Sequence, residues 1–136
     1  MLPISMMTAA LLALWFIWLA FQVIRLRRQY KVSTGDGGHS DLVQAMRAHG
    51  NFSEYVPISL ILLILAELDH GHPLILGGLA VLICLGRFFH SIAFLGSQHH
   101  FSRRVLGMQF TFFAMAGLAL YDVGLVVAHA VLPLGG

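Results

Sequence analysis

Charge is scarce in this sequence, and cysteine is nearly absent. Of its 136 residues only 10% are charged and 58% are hydrophobic, with a mean hydropathy of +0.82. A soluble domain carries about 25% charged residues, so an ordinary water-soluble fold is excluded and the chain reads as a membrane protein. The one cysteine, Cys84, lies inside an apolar run, which excludes an internal disulfide framework and any multi-cysteine zinc or iron–sulfur site. Eight Lys/Arg against six Asp/Glu leave a net charge of +2 and a pI near 9.1. These basic residues sit beside hydrophobic spans and do not form a soluble basic patch, so nucleic acid is not an expected partner.

Long apolar runs stand in place of charge. Met1 to Ile24 is uncharged, 24 residues and about 36 Å of helix, enough to cross a ~30 Å hydrocarbon core. No Lys or Arg precedes Arg25, which argues for a first transmembrane helix and against a cleaved signal peptide. The second run, Val56–Ala66, has 11 residues and about 17 Å of helix, so its helix must extend backward through Glu54, Asn51 and Arg47. The third starts at Pro73, a suitable first-turn residue, and must continue past Gly86 through Arg87 and His90. The fourth runs from Val105 to about Leu132, interrupted only by Asp122.

The expected fold is therefore all-α, an integral membrane four-helix up-down bundle formed by residues 1–136 as one domain, with spans at about 4–27, 41–68, 73–97 and 104–132. Ser33–Gly38 reads as a flexible connector, and Ser40 and Asp41 as N-caps of the second helix. All eight basic residues fall in one half of this bundle with three acidic ones, a balance of +5, while Glu67, Asp69 and Asp122 give the other half −3. The positive-inside rule puts the loops after the first and third spans in the cytoplasm and both termini outside.

Polar residues inside the spans point to a site. Arg47, Asn51, Glu54 and Tyr55 are spaced i, i+4, i+7, i+8 on one helix face, and Arg87, His90, Ser91 and Phe94 form a similar face on the third helix. An Arg or Asp at a bilayer centre costs about 2.5–3.5 kcal/mol, so these groups are expected to face protein or a wet cavity. One reading has Arg47 and Arg87 snorkelling to the interface, with Glu54 as a structural ion-pair partner. The other has the whole set converging on a guest. Arg25, Arg27, Arg28, Arg103 and Arg104 reach the same level, and arginines pair carboxylates bidentately, while Glu54 suits an ammonium group. A peptide-like zwitterion with excess negative charge fits such a pocket.

The run Arg47-Ala48-His49-Gly50-Asn51-Phe52-Ser53-Glu54-Tyr55-Val56-Pro57 resembles the hallmark R-A-x-x-N-x-x-E-x-x-P of the MAPEG family, the membrane-associated proteins of eicosanoid and glutathione metabolism. The segment Gln22–Ser33, with Arg27 and Arg28 paired, resembles the end of the first helix in the cysteinyl-leukotriene synthase branch. Gly86-Arg87-Phe88-Phe89-His90 resembles the helix-three motif, with His where the prostaglandin E synthase branch has it. Short bacterial members are the most similar. The resemblance implies a homotrimer that binds glutathione, as co-substrate, in clefts between subunits.

It further implies that Arg47, Asn51, Glu54 and Tyr55 hold the glutathione backbone and its termini, joined by Arg87, His90 and Arg25. Arg103 and Arg104 are equal candidates for another ligand arginine. Arg28 inherits the thiolate-stabilising, catalytic position. The implied activity is a glutathione transferase or peroxidase acting on lipophilic small molecules from the lipid phase, in a bacterial inner membrane with its site on the cytoplasmic side. One departure matters: Phe94 stands where the eicosanoid enzymes carry a tyrosine, so no phenol acts on the thiol there. Two rival functions stay open, a non-catalytic binder of glutathione or anionic lipid and a small anion transporter.

Other features carry less. His70, His72 and Asp69, or His99 and His100, do not supply three ligands at a suitable spacing, so no metal is expected. His90 and His129 fall at different depths, against a haem. The stripe Met108, Phe110, Phe112, Phe113, Met115 suits packing or lipid contact. Pro57 is expected to kink its helix near Ser53 and open space beside Glu54. Gly117 and Gly124 are candidates for close helix approach, and Asp122 for a polar contact at the outer interface.

Overall fold

The computed structural model describes residues 1–95 and 101–131. Over these residues it contains four helices and no strand: α1 (Pro3–Tyr30), α2 (Ser40–Leu68), α3 (Pro73–Leu95) and α4 (Phe101–Val131). Each is long and apolar enough to cross a bilayer, which makes the chain an integral membrane protein. His99 and His100 lie outside the described residues. α2 reaches back to Ser40 and carries Arg47, Asn51 and Glu54 within the helix. α4 starts before the apolar pattern does, so Arg103 and Arg104 sit in its first turn and not in the preceding loop. Helical hydrogen bonding does not stop where the hydrocarbon does.

Successive helices run antiparallel. The end of α2 meets the start of α1, where Glu67 bonds Ile4 and Ser5, and the end of α1 meets the start of α2, where the Tyr30 hydroxyl donates to Asp41 at 2.7 Å. At the same end as Glu67, the Tyr121 hydroxyl of α4 accepts the His72 N–H at 2.7 Å just ahead of α3. Among the described residues α1 packs on α2 and α3 and does not touch α4. The core is a ladder of fully buried Leu19, Leu63, Leu76, Ile83 and Leu118 with Ala48, Ala66 and Ala114 between them. α3 and α4 approach most closely where Gly86 and Gly107 face each other, and a Cβ on Gly107 would stand 2.7 Å from the Gly86 carbonyl oxygen.

Several local expectations need correction. The N-cap of α2 is His39, one residue before Ser40, and it makes no side-chain cap bond. Asp41 instead bonds the Leu42 N–H and the Tyr30 hydroxyl, and the Tyr30 ring stacks on His39 with centroids 3.7 Å apart. The connector is folded back on itself. Gly35, Gly37 and Gly38 all take left-handed φ values (68°, 57° and 81°), and the Asp36 carboxylate accepts the Gly38 N–H. α2 continues unbroken through Pro57. The hollow beside that proline, about 190 Å³ lined by Phe16, Phe52, Pro57 and Leu60, opens toward α1 and not beside Glu54. Asp122 makes no polar contact among the described residues: both its carboxylate oxygens are enclosed without a hydrogen-bond partner there.

Glu67 has a role that charge counting does not show. α1 begins with Leu2 at the N-cap, which has no side chain to bond the free N–H groups of the first turn. Glu67 supplies the acceptors from across the bundle, taking the Ile4 N–H at 2.9 Å, the Ser5 N–H at 2.7 Å and the Ser5 hydroxyl at 2.5 Å. Its negative charge also complements the positive end of the helix dipole. Glu67→Ala is expected to cost about 1–2 kcal/mol, the range for losing a good N-cap. The thermal unfolding midpoint in detergent would fall, and Glu67→Gln would recover part of the loss; an unchanged midpoint for the alanine variant refutes the cap.

Candidate functional site

One turn apart along α2, Arg47, Asn51 and Glu54 share a face, and that face opens onto a cleft of about 650 Å³. The opposite wall comes from His90 and Phe94 of α3 and Arg104 of α4, and the connector contributes Gly35 and Asp36. The cleft continues into an adjoining hollow of about 510 Å³ that shares Arg47, Phe94 and Arg104 and reaches Ser40 and Gln44. Arg47 and Glu54 are exposed, while His90 and Phe94 are buried into the wall. The Arg104 guanidinium lies over the Phe94 ring, 4.1 Å from its centroid, and the His90 ring meets Phe94 edge-on. Neither Arg47 nor Glu54 is spent on the other, since His129–Asp69 is the only ion pair among the described residues.

Arg87 is placed differently. It is the largest side chain in the fully buried core, 1% exposed, and its guanidinium is held by neutral groups alone. Nε–H and Nη2–H donate to Thr111 Oγ1 at 3.0 and 2.7 Å, and Nη1–H donates to Asn51 Oδ1 at 2.8 Å. Met108 Sδ lies 3.3 Å from Nη2, and the Tyr55 ring sits under the charge at 5.1 Å. Snorkelling is ruled out for this arginine by its burial. With no carboxylate against it, its positive charge is undiminished just behind the Asn51 wall of the cleft. Low local dielectric makes such a charge felt over several ångströms.

The structure thus brings Arg47, Asn51, Glu54, His90 and Arg104 to one cavity, with Arg87 and Tyr55 in the layer behind. Of the two candidate arginines on α4, Arg104 lines the cleft of its own chain and Arg103 is exposed outside the lining. Arg25 and Arg28 are exposed near the end of α1 and do not line the cleft of their own chain. Two contributors lay hidden in the sequence. Asp36 is disguised by its glycine-rich surroundings, and Thr111 looks like one more small residue in an apolar helix. Its spacing of four from Gly107, whose carbonyl accepts the Thr111 hydroxyl at 2.9 Å, is the only local signal.

An arginine, amide and glutamate on one α2 face, opposed by a histidine and an arginine from α3 and α4, occupy a region that can be compared with known proteins. The chain matches the MAPEG family over residues 5–123. It belongs to the MAPEG family. The inner membrane protein YecN of Escherichia coli strain K12 is 36% identical over 122 residues, covering 88% of this chain and 90% of that one. The same protein from Escherichia coli O6:H1 matches equally. Every residue placed at or behind the cleft, from Gly35 to Thr111, falls within the matched region.

Proposed function

We propose that this MAPEG protein binds glutathione in the cleft and uses it as a transferase or peroxidase on lipophilic electrophiles. The observation that carries the reading is the set of Arg47, Glu54 and Arg104, unpaired with one another and all open to one cavity. Glutathione offers two carboxylates, one ammonium and a thiol. Arg47 and Arg104 suit its carboxylates, and Glu54 or Asp36 its ammonium. Counting Arg87 behind the wall, three arginines less Glu54 and Asp36 leave the site a net +1, which matches the net −1 of the peptide. Arg28, exposed and outside its own chain's cleft, contributes at the thiol of a neighbouring subunit in a homotrimer. The site lies on the cytoplasmic side of the inner membrane with both termini outside, since all eight Lys/Arg sit at that end.

In the transferase reaction the bound thiol gives its proton to water at the open mouth of the cleft, and the sulfur lone pair forms a C–S bond as the electrophile's leaving group departs with its electron pair. Cations around the sulfur favour the first step. The lipophilic co-substrate arrives from the bilayer, where such compounds concentrate.

Titration of glutathione into the detergent-purified protein tests the ligand. Heat is expected in calorimetry, and at a hundredfold excess over the dissociation constant the fold gains about 2.7 kcal/mol, raising the unfolding midpoint by several degrees. Absence of both at millimolar glutathione rejects the reading. A second reading, binding without chemistry, is favoured by one observation: Phe94 offers no hydroxyl, and its face is covered by Arg104. Ultraviolet absorbance of the bound thiolate separates the two. A bound thiol that titrates as it does in free glutathione supports the binder.

A further inference from the structure

The Thr111 hydroxyl is fully committed. It is 0% exposed, accepts two N–H groups of Arg87, at 3.0 and 2.7 Å, and gives its own proton to the Gly107 carbonyl at 2.9 Å. A hydroxyl has two lone pairs and one proton, so nothing is left over. The two donors it accepts, Nε–H and Nη2–H, form one edge of a rigid planar fork. Fixing that edge against α4 aims the remaining nitrogen, Nη1, at α2, where it donates to Asn51 Oδ1 at 2.8 Å. An amide whose oxygen is turned to a guanidinium presents its NH2 the other way. Asn51 lines the cleft, and its NH2 donates to no other group among the described residues, which leaves both N–H donors free for a ligand there.

We infer that Thr111 is a positioning residue for the anionic ligand of the cleft, acting through the Arg87 guanidinium to hold the Asn51 amide with its N–H groups toward the ligand. The inference rests on the glutathione reading above. A threonine does here what a carboxylate would not. It satisfies two guanidinium donors while leaving the positive charge uncompensated, so the arginine both orients the amide and attracts the ligand. The glycine crossing sets the reach, because a Cβ on Gly86 would come within 2.6 Å of Thr111 Oγ1.

Thr111→Val keeps the shape and removes the one oxygen that accepts both Arg87 N–H groups. The freed guanidinium no longer fixes the Asn51 oxygen, the amide can turn its N–H groups away from the ligand, and glutathione affinity is expected to fall about tenfold, the scale of one charge-assisted hydrogen bond. Thr111→Ser keeps the hydroxyl and is expected to stay within about twofold of the parent, since only a methyl is lost. In an Asn51→Ala background the valine change is expected to alter affinity less than about twofold, because the amide it orients is gone. A purely structural role predicts the opposite, an equal loss in both backgrounds. If valine leaves no folded protein, Thr111→Ala carries the same cycle without added bulk. Full affinity in the hydroxyl-free variant, or an additive loss with Asn51→Ala, overturns the inference alone. No glutathione binding by the parent protein overturns the functional reading, and this role with it.

Discussion

Arg28→Ala is expected to bind glutathione as tightly as the parent protein and to conjugate an aromatic halide about twenty-five-fold more slowly near pH 7. The arginine is exposed at the end of α1, and its side chain bonds nothing among the described residues, so its removal leaves the walls of its own chain's cleft intact. Its proposed task concerns sulfur alone. A free thiol ionises near ~8.5, and lowering that by about two units takes about 2.7 kcal/mol, within reach of a guanidinium beside the sulfur in a low-dielectric site. At pH 6.5 the thiolate share then rises from about 1% to about half. The pH profile carries the sign. Turnover by the parent protein is expected to level off above about pH 6.5, whereas Arg28→Ala keeps climbing toward about pH 8.5 as the unassisted thiol ionises. Equal turnover and an unchanged profile assign the thiol to another group.

The same variant reports on assembly. Because Arg28 does not line its own chain's cleft, a shared site requires that it act on a neighbour. Co-expression of Arg28→Ala with Asn51→Ala, each poorly active alone, is expected to restore activity. Random assortment in a closed ring gives roughly a quarter of clefts both native residues. No complementation places Arg28 and Asn51 at the same chain's site or at none.

Much of the fold was legible because bilayer thickness is a ruler. An 11-residue apolar run cannot span, so α2 had to include its polar residues, and helical spacing then put Arg47, Asn51 and Glu54 on one face, which the structure bears out. What spacing within one helix does not contain is the partner helix. Arg87 and His90 share a face of α3, yet the first turns to Thr111 and the second to the cleft, because α4 crosses at Gly86 close enough to capture the guanidinium. Glu67 was equally opaque: two of its three bonds come from backbone N–H groups more than sixty positions away, which carry no side-chain signature. The uncapped start of α1 was the clue. Asp36 reaches the cleft through three left-handed glycines, a path that composition reads as looseness.

The glycine crossing is where the largest loss of stability is expected. Sequence spacing singled out Gly117 and Gly124 as close approaches, but a Cβ on Gly124 meets nothing within 4 Å, and on Gly117 it meets only the end of the Leu79 side chain at 3.0 Å. Gly107 differs in kind. Its Cβ would lie 2.6 Å from the His90 backbone nitrogen, 2.7 Å from the Gly86 carbonyl oxygen and 2.8 Å from the His90 Cβ, none of which can swing aside. The helices must separate instead. Gly107→Ala is therefore expected to lose about 1–3 kcal/mol, the usual penalty for overpacking, and Gly107→Leu to leave no folded protein. Gly124→Ala should hold or raise the unfolding midpoint through its better helix propensity, worth up to about 1 kcal/mol. The separation would also carry Thr111 away from Arg87, so Gly107→Ala should weaken glutathione binding where Gly124→Ala does not. A Gly107→Ala protein as stable as Gly124→Ala, with undiminished affinity, would show that α3 and α4 do not meet at this glycine pair and that the wall behind the cleft is built some other way.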